Sequence, residues 1–328
     1  MNIKGMVRAK FPNFFERLKS VKGQVKDYRL REQKKSFGPK NPDKTIYIIR
    51  TDDSRTGLMC YFNNILGHIA YALERGWIPV VDMKNYPNTY LDPKLNGKTN
   101  SWEYYFEQPG TIGLDEAYES KNVVLSQCKH MHSATPRYLY YDIYKNPEIA
   151  EMYYSIIACN MSLNPLTMEY MQRQKNEIFP NKEKVVGVVC RGTDLIGYIN
   201  HSKQPTVLEL CKITERIMAE YKCNYVFVAS DEDRNIEFFR NYFGRDTILV
   251  NDCVRFDSYK KANDTVLGDI KFNRDNDEFL RGREYLTTVV LLSKCDCLVG
   301  SLVGATVGAI GMNQNKYEHV EIYDKGVY

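Results

Sequence analysis

The chain has 328 residues, of which 43% are hydrophobic and 26% charged, and its formal net charge is +4. This ordinary composition excludes a mainly disordered protein, and the length favours two domains over a single core. The small net charge argues against a nucleic-acid-binding protein, whose basic residues would cover a whole face. The sequence shows no signal-peptide pattern and no apolar run of about 18 residues, which predicts a cytoplasmic protein.

Nine cysteines are present, and several lie inside apolar runs such as VVGVVC and LLSKCDCLVG. This distribution predicts buried, reduced thiols rather than a disulfide framework. Cys295 and Cys297 form a C-x-C pair without the second pair or the histidine that a zinc site needs. His130 and His132 form an H-x-H without an acid or cysteine at ligand spacing, which favours a solvated or acceptor-site loop. We therefore expect no metal or other cofactor.

The first predicted unit, residues 1–43, is a basic segment of helical character. It is rich in Lys and Arg, and Phe11, Phe14, Phe15 and Leu18 fall on one side of a helix. Two interpretations remain open, namely docking on an anionic membrane surface and packing of an amphipathic helix against the protein.

The second unit, residues 44–181, begins with the strand TIYIIR. A Gly-containing loop, a helix over residues 63–76 and the strand WIPVVDM follow, which together form the β-loop-α-β unit of a doubly wound sheet. The aromatic segment TNSWEYYFEQP predicts a loop with a short helix, and KNVVLSQ predicts another strand. Residues 146–180 have a helical pattern with turn signals at 164–165 and 179–180.

The third unit, residues 182–328, repeats the alternation of strands and helices. The strands VVGVVC, YVFVASDE, TILVND and CLVGS alternate with helices predicted over 206–222, 234–244 and 282–295, and a Gly/Ala-rich helix begins near 302. Gly244 is the expected C-cap of the second helix in this series. The sequence therefore predicts an α/β protein of two doubly wound, Rossmann-like domains that face each other across a cleft.

Ligands of doubly wound domains bind beyond the carboxyl ends of the strands, so the residues after each strand form the candidate site. All four such segments are polar, and we expect them to face one cleft. They are Thr51-Asp52-Asp53, Arg191-Gly192-Thr193-Asp194, Ser230-Asp231-Glu232-Asp233, and Ser301 with Gly300 and Gly304.

Arg191 is the strongest candidate. It directly follows a buried strand, which fixes the position of its backbone, and its planar guanidinium can bind two phosphate oxygens at once. Gly192 would allow close approach of another backbone, and Asp194 could cap the next turn or hold Arg191. A purely structural Arg–Asp pair remains the alternative. The segment GSLVGATVGA offers free backbone N–H groups at a helix start. It lacks both the G-K-[ST] of a P-loop and a G-x-G-x-x-G fingerprint, which argues against a nicotinamide dehydrogenase.

Three segments taken together resemble the donor-binding motifs of GDP-fucose-dependent fucosyltransferases: CRGTD, ASDE, and GREYLTTVVLLSKCDCLVGS. The similarity is to the bacterial nodulation and core α1,6-fucosyltransferases and to the protein O-fucosyltransferases. The segments GLMCYFNNILGHIAYALERGWIPVVD and TNSWEYYFEQP also resemble their first domain, so the resemblance covers about residues 46–313.

The resemblance implies a GT-B fold and an inverting, metal-independent transfer, with the donor held mainly by residues 182–328. By position, Arg191 would contact the donor diphosphate, and Asp231 and Glu232 would lie near the guanosine or its ribose. Arg283 could add a second positive charge. Ser301, Gly304 and Thr306 fall where the family's Ser/Thr-rich loop meets the phosphates, and Gly192 and Ser230 complete the expected donor site.

The sequence departs from the family pattern at the catalytic base. Many members have a second arginine where Gly192 stands, and some place a carboxylate just after the motif. Because the acceptor hydroxyl must lose its proton, His201 is the nearest titratable candidate, and a loop histidine bonded to backbone is its alternative. Asp52 and Asp53 are rivals from the first domain.

The sequence thus predicts a glycosyltransferase that transfers a sugar, by resemblance fucose from GDP-fucose, to a hydroxyl of a glycan or polysaccharide precursor. Asp231-Glu232-Asp233 also forms a D-x-D, the metal-binding signature of the other large glycosyltransferase fold, which the two α/β series disfavour. The expected partners are a nucleotide-sugar donor and a glycan or lipid-linked acceptor, with peripheral membrane association through residues 1–43. The alternatives are a non-catalytic nucleotide-sugar or glycan-binding protein and a transferase that uses another activated donor.

Overall fold

The structure, a computed structural model, describes residues 30–51, 56–128, 135–137, 143, 145–181, 183–191, 202–255 and 271–327. Predictions for other residues lie outside this described part of the chain. They include the helix through Phe11, Phe14, Phe15 and Leu18 and the pair His130 and His132. We refer to the described residues up to 181 as the first half and to those from 183 as the second half.

The first half contains one four-stranded sheet with the order β1-β4-β2-β3. Its strands are β1 (Gln33–Lys35), β2 (Ile46–Arg50), β3 (Ile78–Asp82) and β4 (Val123–Leu125). Strands β2, β3 and β4 are parallel, so that Ile46 lies opposite both Ile78 and Val123, and β1 pairs antiparallel with β4. Helix α1 (Leu58–Leu73) connects β2 to β3, and the short helix α2 (Leu114–Ala117) precedes β4.

Two helices, α3 (Pro147–Asn160) and α4 (Pro165–Ile178), follow the first sheet. Each helix begins with an asparagine N-cap that is followed by a proline. Asn146 and Asn164 accept hydrogen bonds from backbone N–H groups of the first turn, and each is followed by a proline that needs no such partner. The turn between the helices therefore falls where the sequence predicted it.

The second half contains a five-stranded, fully parallel sheet with the order β7-β6-β5-β8-β9. The strands are β5 (Val185–Cys190), β6 (Tyr225–Ser230), β7 (Ile248–Leu249), β8 (Cys297–Ser301) and β9 (His319–Tyr323). The helices are α5 (Val207–Tyr221), α6 (Asp233–Phe243), α7 (Asp277–Leu292) and α8 (Gly304–Asn313). All six residues of β5 are buried, as expected for a central strand covered on both faces.

This strand order confirms the predicted fold class. In chain order the second sheet reads third, second, first, fourth and fifth, which is the order of a Rossmann-like sheet. The first sheet has its own parallel, doubly wound core of β4, β2 and β3. Two such units in one chain are the GT-B arrangement that the sequence predicted. The boundary near residue 181 stays a prediction, because α4 lies before it and packs against α7 of the second half.

A continuous hydrophobic core joins the two halves. It includes Tyr47 and Ile65 from the first sheet and α1, Ile157 from α3, and Leu286 and Ile310 from α7 and α8. The hydroxyl of Tyr105 donates a hydrogen bond of 2.8 Å to the carbonyl of Phe279. The halves therefore share buried apolar surface and are not connected by a linker alone.

The glycines of α8 allow this close packing. A Cβ added at Gly308 would lie 2.6 Å from Met59 Sδ of α1, and one at Gly311 would lie 2.8 Å from Ile157 Cδ1 of α3. Such distances are too short for a side chain at either position. The Gly/Ala-rich character that indicated a phosphate-binding helix start therefore also has a packing cause farther along the helix.

Two strands were not predicted from the sequence. Residues 33–35 lie in the segment that was predicted to be helical, and they form the edge strand β1 instead. Strand β9 adds a fifth strand to the second sheet. Both are edge strands. Strand β1 is a short run of three polar residues without a strand pattern, whereas β9 (HVEIY) does alternate polar and apolar residues and was overlooked in the sequence. Helix α1 begins at Leu58, five residues before the predicted start, because Gly57 provides its extended N-cap.

Candidate nucleotide-binding site

The second sheet has its topological switch point between β5 and β8. The chain moves outward in one direction from β5 through β6 to β7, and it then returns to the other side of β5 for β8 and β9. Ligands of such sheets bind in the crevice outside the carboxyl ends of the strands at this point. Arg191 follows β5 directly, and β8 ends at Ser301, so two predicted site residues flank the switch point.

Arg191 makes an ion pair with Asp231. Its Nη1 lies 3.3 Å from Asp231 Oδ2, and the two side chains are only 21% and 11% exposed. The sequence suggested Asp194 as a residue that could hold Arg191, and Asp194 lies outside the described residues. In the structure the carboxylate comes from the end of the adjacent strand β6. The pair orients the guanidinium, which places its positive charge at the end of β5.

The end of β6 is a compact polar turn. Ser230 Oγ accepts hydrogen bonds from the backbone N–H of Glu232 at 3.2 Å and from Asn235 Nδ2 at 3.1 Å. Ser230 therefore stabilises the start of α6. Glu232 is fully buried, and one of its carboxylate oxygens pairs with Arg234.

The other oxygen, Glu232 Oε1, has no hydrogen-bond partner among the described residues. A buried carboxylate oxygen without a partner is costly, and a ligand N–H or O–H group would satisfy it. Asp231 and Glu232 together place negative charge at the end of β6, beside the positive charge at the end of β5.

The turn from β8 into α8 is a second feature with the charge that would suit an anion. Val303 is the N-cap of α8 and provides no side-chain cap, and the first helical turn contains no acidic residue. The N-terminus of a helix carries partial positive charge and unpaired N–H groups. Thr306 is in this first turn, fully buried, and its hydroxyl has no hydrogen-bond partner among the described residues. Ser301 is also fully buried and donates a hydrogen bond of 2.6 Å to Gln204 Oε1.

The first half approaches the switch point through α1. A Cβ added at Gly304 would lie 3.2 Å from Met59 Cβ and 3.9 Å from Cys60 Sγ. Gly304 therefore lies against the first turn of α1, and this contact places the N-termini of α1 and α8 side by side.

Strand β2 ends at Arg50, and Asp52 and Asp53, which were predicted to offer polar groups after it, lie outside the described residues. The side chain of Arg50 is buried, and its Nε donates a hydrogen bond of 2.7 Å to the carbonyl of Ser126. A second bond of 2.9 Å runs from Nη2 to the carbonyl of Arg31. The guanidinium of Arg50 thus joins the ends of β2 and β4 and extends to the residues before β1.

Arg283 lies on α7 against aromatic rings. Its guanidinium carbon is 4.5 Å from the ring centre of Tyr170 and 5.3 Å from that of Phe279. These cation–π contacts stabilise the packing of α4 on α7. A role for Arg283 at the diphosphate stays a prediction. The other untested candidates, Gly192, Asp194, His201, Asp52 and Asp53, lie outside the described residues.

The aromatic segment predicted to resemble the family's first domain is a packing element. Trp102, Tyr105 and Phe106 are each 1% exposed, and the rings of Trp102 and Phe106 stack with centres 4.2 Å apart. Stacking on sugar rings is therefore excluded for these three side chains in the folded chain.

Gln204 is the site residue that sequence reasoning missed. It lies just before α5 in the chain, 97 residues from its partner Ser301. No motif marks it, because a hydrogen bond between such distant positions leaves no periodic signal.

The remaining chemistry of the described residues is limited. All nine cysteines are free, and six are buried as predicted, whereas Cys159 is exposed and Cys60 and Cys253 are half-buried. No group of three or more His, Cys, Asp or Glu side chains in the described ranges is arranged to hold a metal ion. None of the helices in the described part of the chain is long and apolar enough to cross a bilayer.

Scans against protein-family models and against curated protein sequences return no match. Solved structures do show similarity. The fucosyltransferase NodZ from Bradyrhizobium is 12% identical over 78% of this chain and 88% of its own, with a TM-score of 0.46. NodZ α1,6-fucosyltransferase co-crystallised with GDP is 13% identical over 82% and 92%, with a TM-score of 0.48. POFUT1 in complex with GDP-fucose is 9% identical over 86% and 99%, with a TM-score of 0.49. The fold assignment rests on the strand order of the two sheets.

Proposed function

We propose that the protein is a glycosyltransferase whose nucleotide-sugar donor binds at the switch point of the second sheet. The observation that carries the proposal is the position of Arg191 beside β8 and the uncapped N-terminus of α8. The guanidinium of Arg191, whose backbone is held at a strand end, and the positive N-terminus of α8 are suited to a diphosphate, which has two negative phosphates close together.

The nucleoside would extend from the diphosphate toward β6. Asp231 and Glu232 lie there, and an acidic side chain at this strand end is suited to the hydroxyls of a ribose or the N–H groups of a base. The choice of GDP-fucose as donor rests on the resemblance of CRGTD, ASDE and the α7–β8 segment to the fucosyltransferase motifs. The acceptor would be a hydroxyl of a glycan or polysaccharide precursor.

In the proposed reaction the acceptor oxygen attacks the anomeric carbon, and the bond to the diphosphate oxygen breaks. Arg191 and the N–H groups of α8 would stabilise the negative charge that develops on the leaving GDP. The acceptor proton must go to a base, for which His201, Asp194, Asp52 and Asp53 are candidates. The anomeric configuration would invert, because a single displacement occurs from the opposite face.

A thermal-shift screen with GDP, UDP, CMP and GDP-fucose tests the donor class. A ligand at about 100 times its Kd stabilises the folded state by about 2.7 kcal/mol, and we expect that GDP compounds raise Tm most. Arg191→Ala should lose this shift and the transferase activity. Arg216→Ala is the matched control, because Arg216 forms its ion pairs with Glu220 and Glu321 on α5 and β9. Retention of the GDP shift in Arg191→Ala would contradict the proposal.

Metal independence is a separate part of the proposal. Arg191 and α8 supply positive charge that a divalent cation would otherwise provide to a diphosphate. We expect that transfer continues at full rate in excess EDTA. Loss of activity in EDTA and its recovery with Mn²⁺ would contradict this part and would favour a metal site at Asp231-Glu232-Asp233.

The proposed acceptor gives the basic N-terminal residues a role. A lipid-linked acceptor would be presented at an anionic membrane surface, which attracts Lys and Arg. A test chain should lack residues 1–29 only, since Gln33–Lys35 form β1 and belong to the first sheet. We expect reduced co-sedimentation with phosphatidylserine vesicles, and unchanged co-sedimentation would refute the membrane contact.

A further inference from the structure

The amide of Gln204 makes two hydrogen bonds whose directions are fixed. Its Nε2 donates to the carbonyl of Ser202 at 2.8 Å, and its Oε1 accepts from Ser301 Oγ at 2.6 Å. A carbonyl oxygen can only accept, so the nitrogen of the amide must face Ser202. The oxygen of the amide must then face Ser301.

This orientation determines what Ser301 can do. A serine hydroxyl has one proton, and the proton of Ser301 is used in the bond to Gln204. The oxygens of a phosphate are acceptors and need a donor. Ser301 therefore offers a phosphate only lone pairs, although it lies where the family resemblance placed a phosphate-binding hydroxyl.

The segment that carries Gln204 is itself held by the residues after β9. The backbone N–H of Lys203 donates to the carbonyl of Gly326 at 2.9 Å, and Ser202 pairs with Val327 in an antiparallel bridge. Strand β9 in turn pairs with β8, where Tyr323 lies opposite Ser301. The end of β8 is thus connected to Gln204 both directly and through β9 and residues 326–327.

We infer that Gln204 is a positioning residue of the donor site, which holds Ser301 and so fixes the turn that presents the N-terminus of α8 to the diphosphate. This inference rests on the proposed function. In the proposed donor site, the α8 backbone N–H groups and Arg191 donate hydrogen bonds to the phosphates, and Ser301 holds the turn in place through its bond to Gln204.

A double-mutant cycle tests the inference. Gln204→Leu, Ser301→Ala and the double variant are titrated with GDP, and donor and acceptor KM are measured. Each single variant should bind GDP about fivefold more weakly, since each loses the bond between Gln204 and Ser301, and Gln204→Leu also loses the bond to Ser202. The double variant should be no weaker than the weaker single variant, because both changes remove the same bond. Donor KM should rise while acceptor KM stays constant. Gln204→Met, which keeps the side-chain length, replaces Gln204→Leu if the latter does not fold.

Gln108→Leu is the matched control. The amide of Gln108 bonds to both backbone groups of Val81 in the first half, so this variant should lower Tm without changing GDP affinity. If Ser301 binds phosphate directly, Gln204→Leu would free its proton and leave GDP binding unchanged or tighter, while Ser301→Ala would weaken it. That result, or additive single effects, would overturn the inference alone. A wild-type chain that binds no nucleoside diphosphate would overturn the proposed function together with it.

Discussion

At the scale of single residues, the ion pair of Arg191 with Asp231 limits which substitutions the site can tolerate. The pair holds Nη1 of a planar guanidinium 3.3 Å from Asp231 Oδ2 and so orients the whole group at the end of β5. Lysine carries the same charge but has no fork, so it cannot hold Asp231 and two phosphate oxygens in the same geometry.

We therefore expect that Arg191→Lys weakens GDP binding about tenfold or more, although the charge is conserved. Isothermal titration of GDP measures the change. Arg216→Lys is the matched control and should leave GDP affinity unchanged. Wild-type affinity in Arg191→Lys would mean that Arg191 contributes only a point charge, or that the diphosphate binds elsewhere.

His68 gives a prediction about pH. It is buried in α1 with its Nδ1 2.8 Å from the hydroxyl of Tyr47, and burial lowers its pKa to about 3. The folded chain keeps this ring neutral, whereas the unfolded chain protonates it near its ordinary pKa of 6.5. The unfolded state thus binds more protons between these two values. The free energy of unfolding should fall as pH drops below about 6.5, by up to about 1.4 kcal/mol per pH unit.

Urea denaturation near pH 7.5 and near pH 5.5 measures this dependence. Wild type should lose about 1.4 kcal/mol more than His68→Gln between these conditions. His319→Gln keeps His68 and should keep the dependence that His68 contributes. Equal losses in wild type and His68→Gln would show that the ring is protonated in the folded state.

At the scale of elements, α8 contributes both to the candidate site and to the packing against α1. Its first turn, with Gly304 and Thr306, faces the switch point, and Gly308 lies against Met59 of α1. Because a residue four positions along a helix lies on the same face, one stripe of small residues serves both the site and the packing. The packing role fixes where the N-terminus of α8 lies.

Gly308→Val should destabilise the protein by about 1–3 kcal/mol, because its side chain would overlap with Met59. Chemical denaturation measures the loss, and a second substitution, Met59→Ala, should restore part of it. Gly113→Ala is the control, since nothing lies within 4 Å of a Cβ at that position. An unchanged stability of Gly308→Val would mean that α8 and α1 can separate freely.

At the scale of the whole molecule, the shared core predicts that both halves unfold together. Gly282 shows how close the contact is, since a Cβ there would lie 2.1 Å from the hydroxyl of Tyr105. Buried apolar contacts of this kind couple two units into one cooperative transition.

Hydrogen exchange under native conditions tests this cooperativity. We expect that amides of β2 and of β5 exchange with similar free energies, and that Gly282→Leu lowers both. Gly113→Ala, where nothing lies within 4 Å of an added Cβ, should change neither. Independent exchange of the two sheets in wild type would contradict the coupling.

The sequence predicted the elements whose residues carry a strong local signal. The buried runs of β2, β5, β6 and β8 and the amphipathic pattern of α5 were all located within a few residues. The end of α6 at Gly244 was also correct, because the positive φ of this glycine suits a helix C-cap. The edge strand β1 was missed because its three residues are all polar, and β9 was missed although HVEIY alternates polar and apolar residues. The order of the strands follows from none of these signals.

Arg191, Asp231 and Ser301 could be proposed from the sequence because each follows a buried strand, and the carboxyl ends of parallel strands meet at one edge. The tertiary structure decided which of them touch: Asp231 pairs with Arg191, Ser301 bonds to Gln204, and Arg283 lies against Tyr170. Local sequence determines strands, helices and their ends through short-range sterics and burial. Contacts between residues far apart in the chain depend on how the sheets and helices pack together, and only the folded chain specifies that.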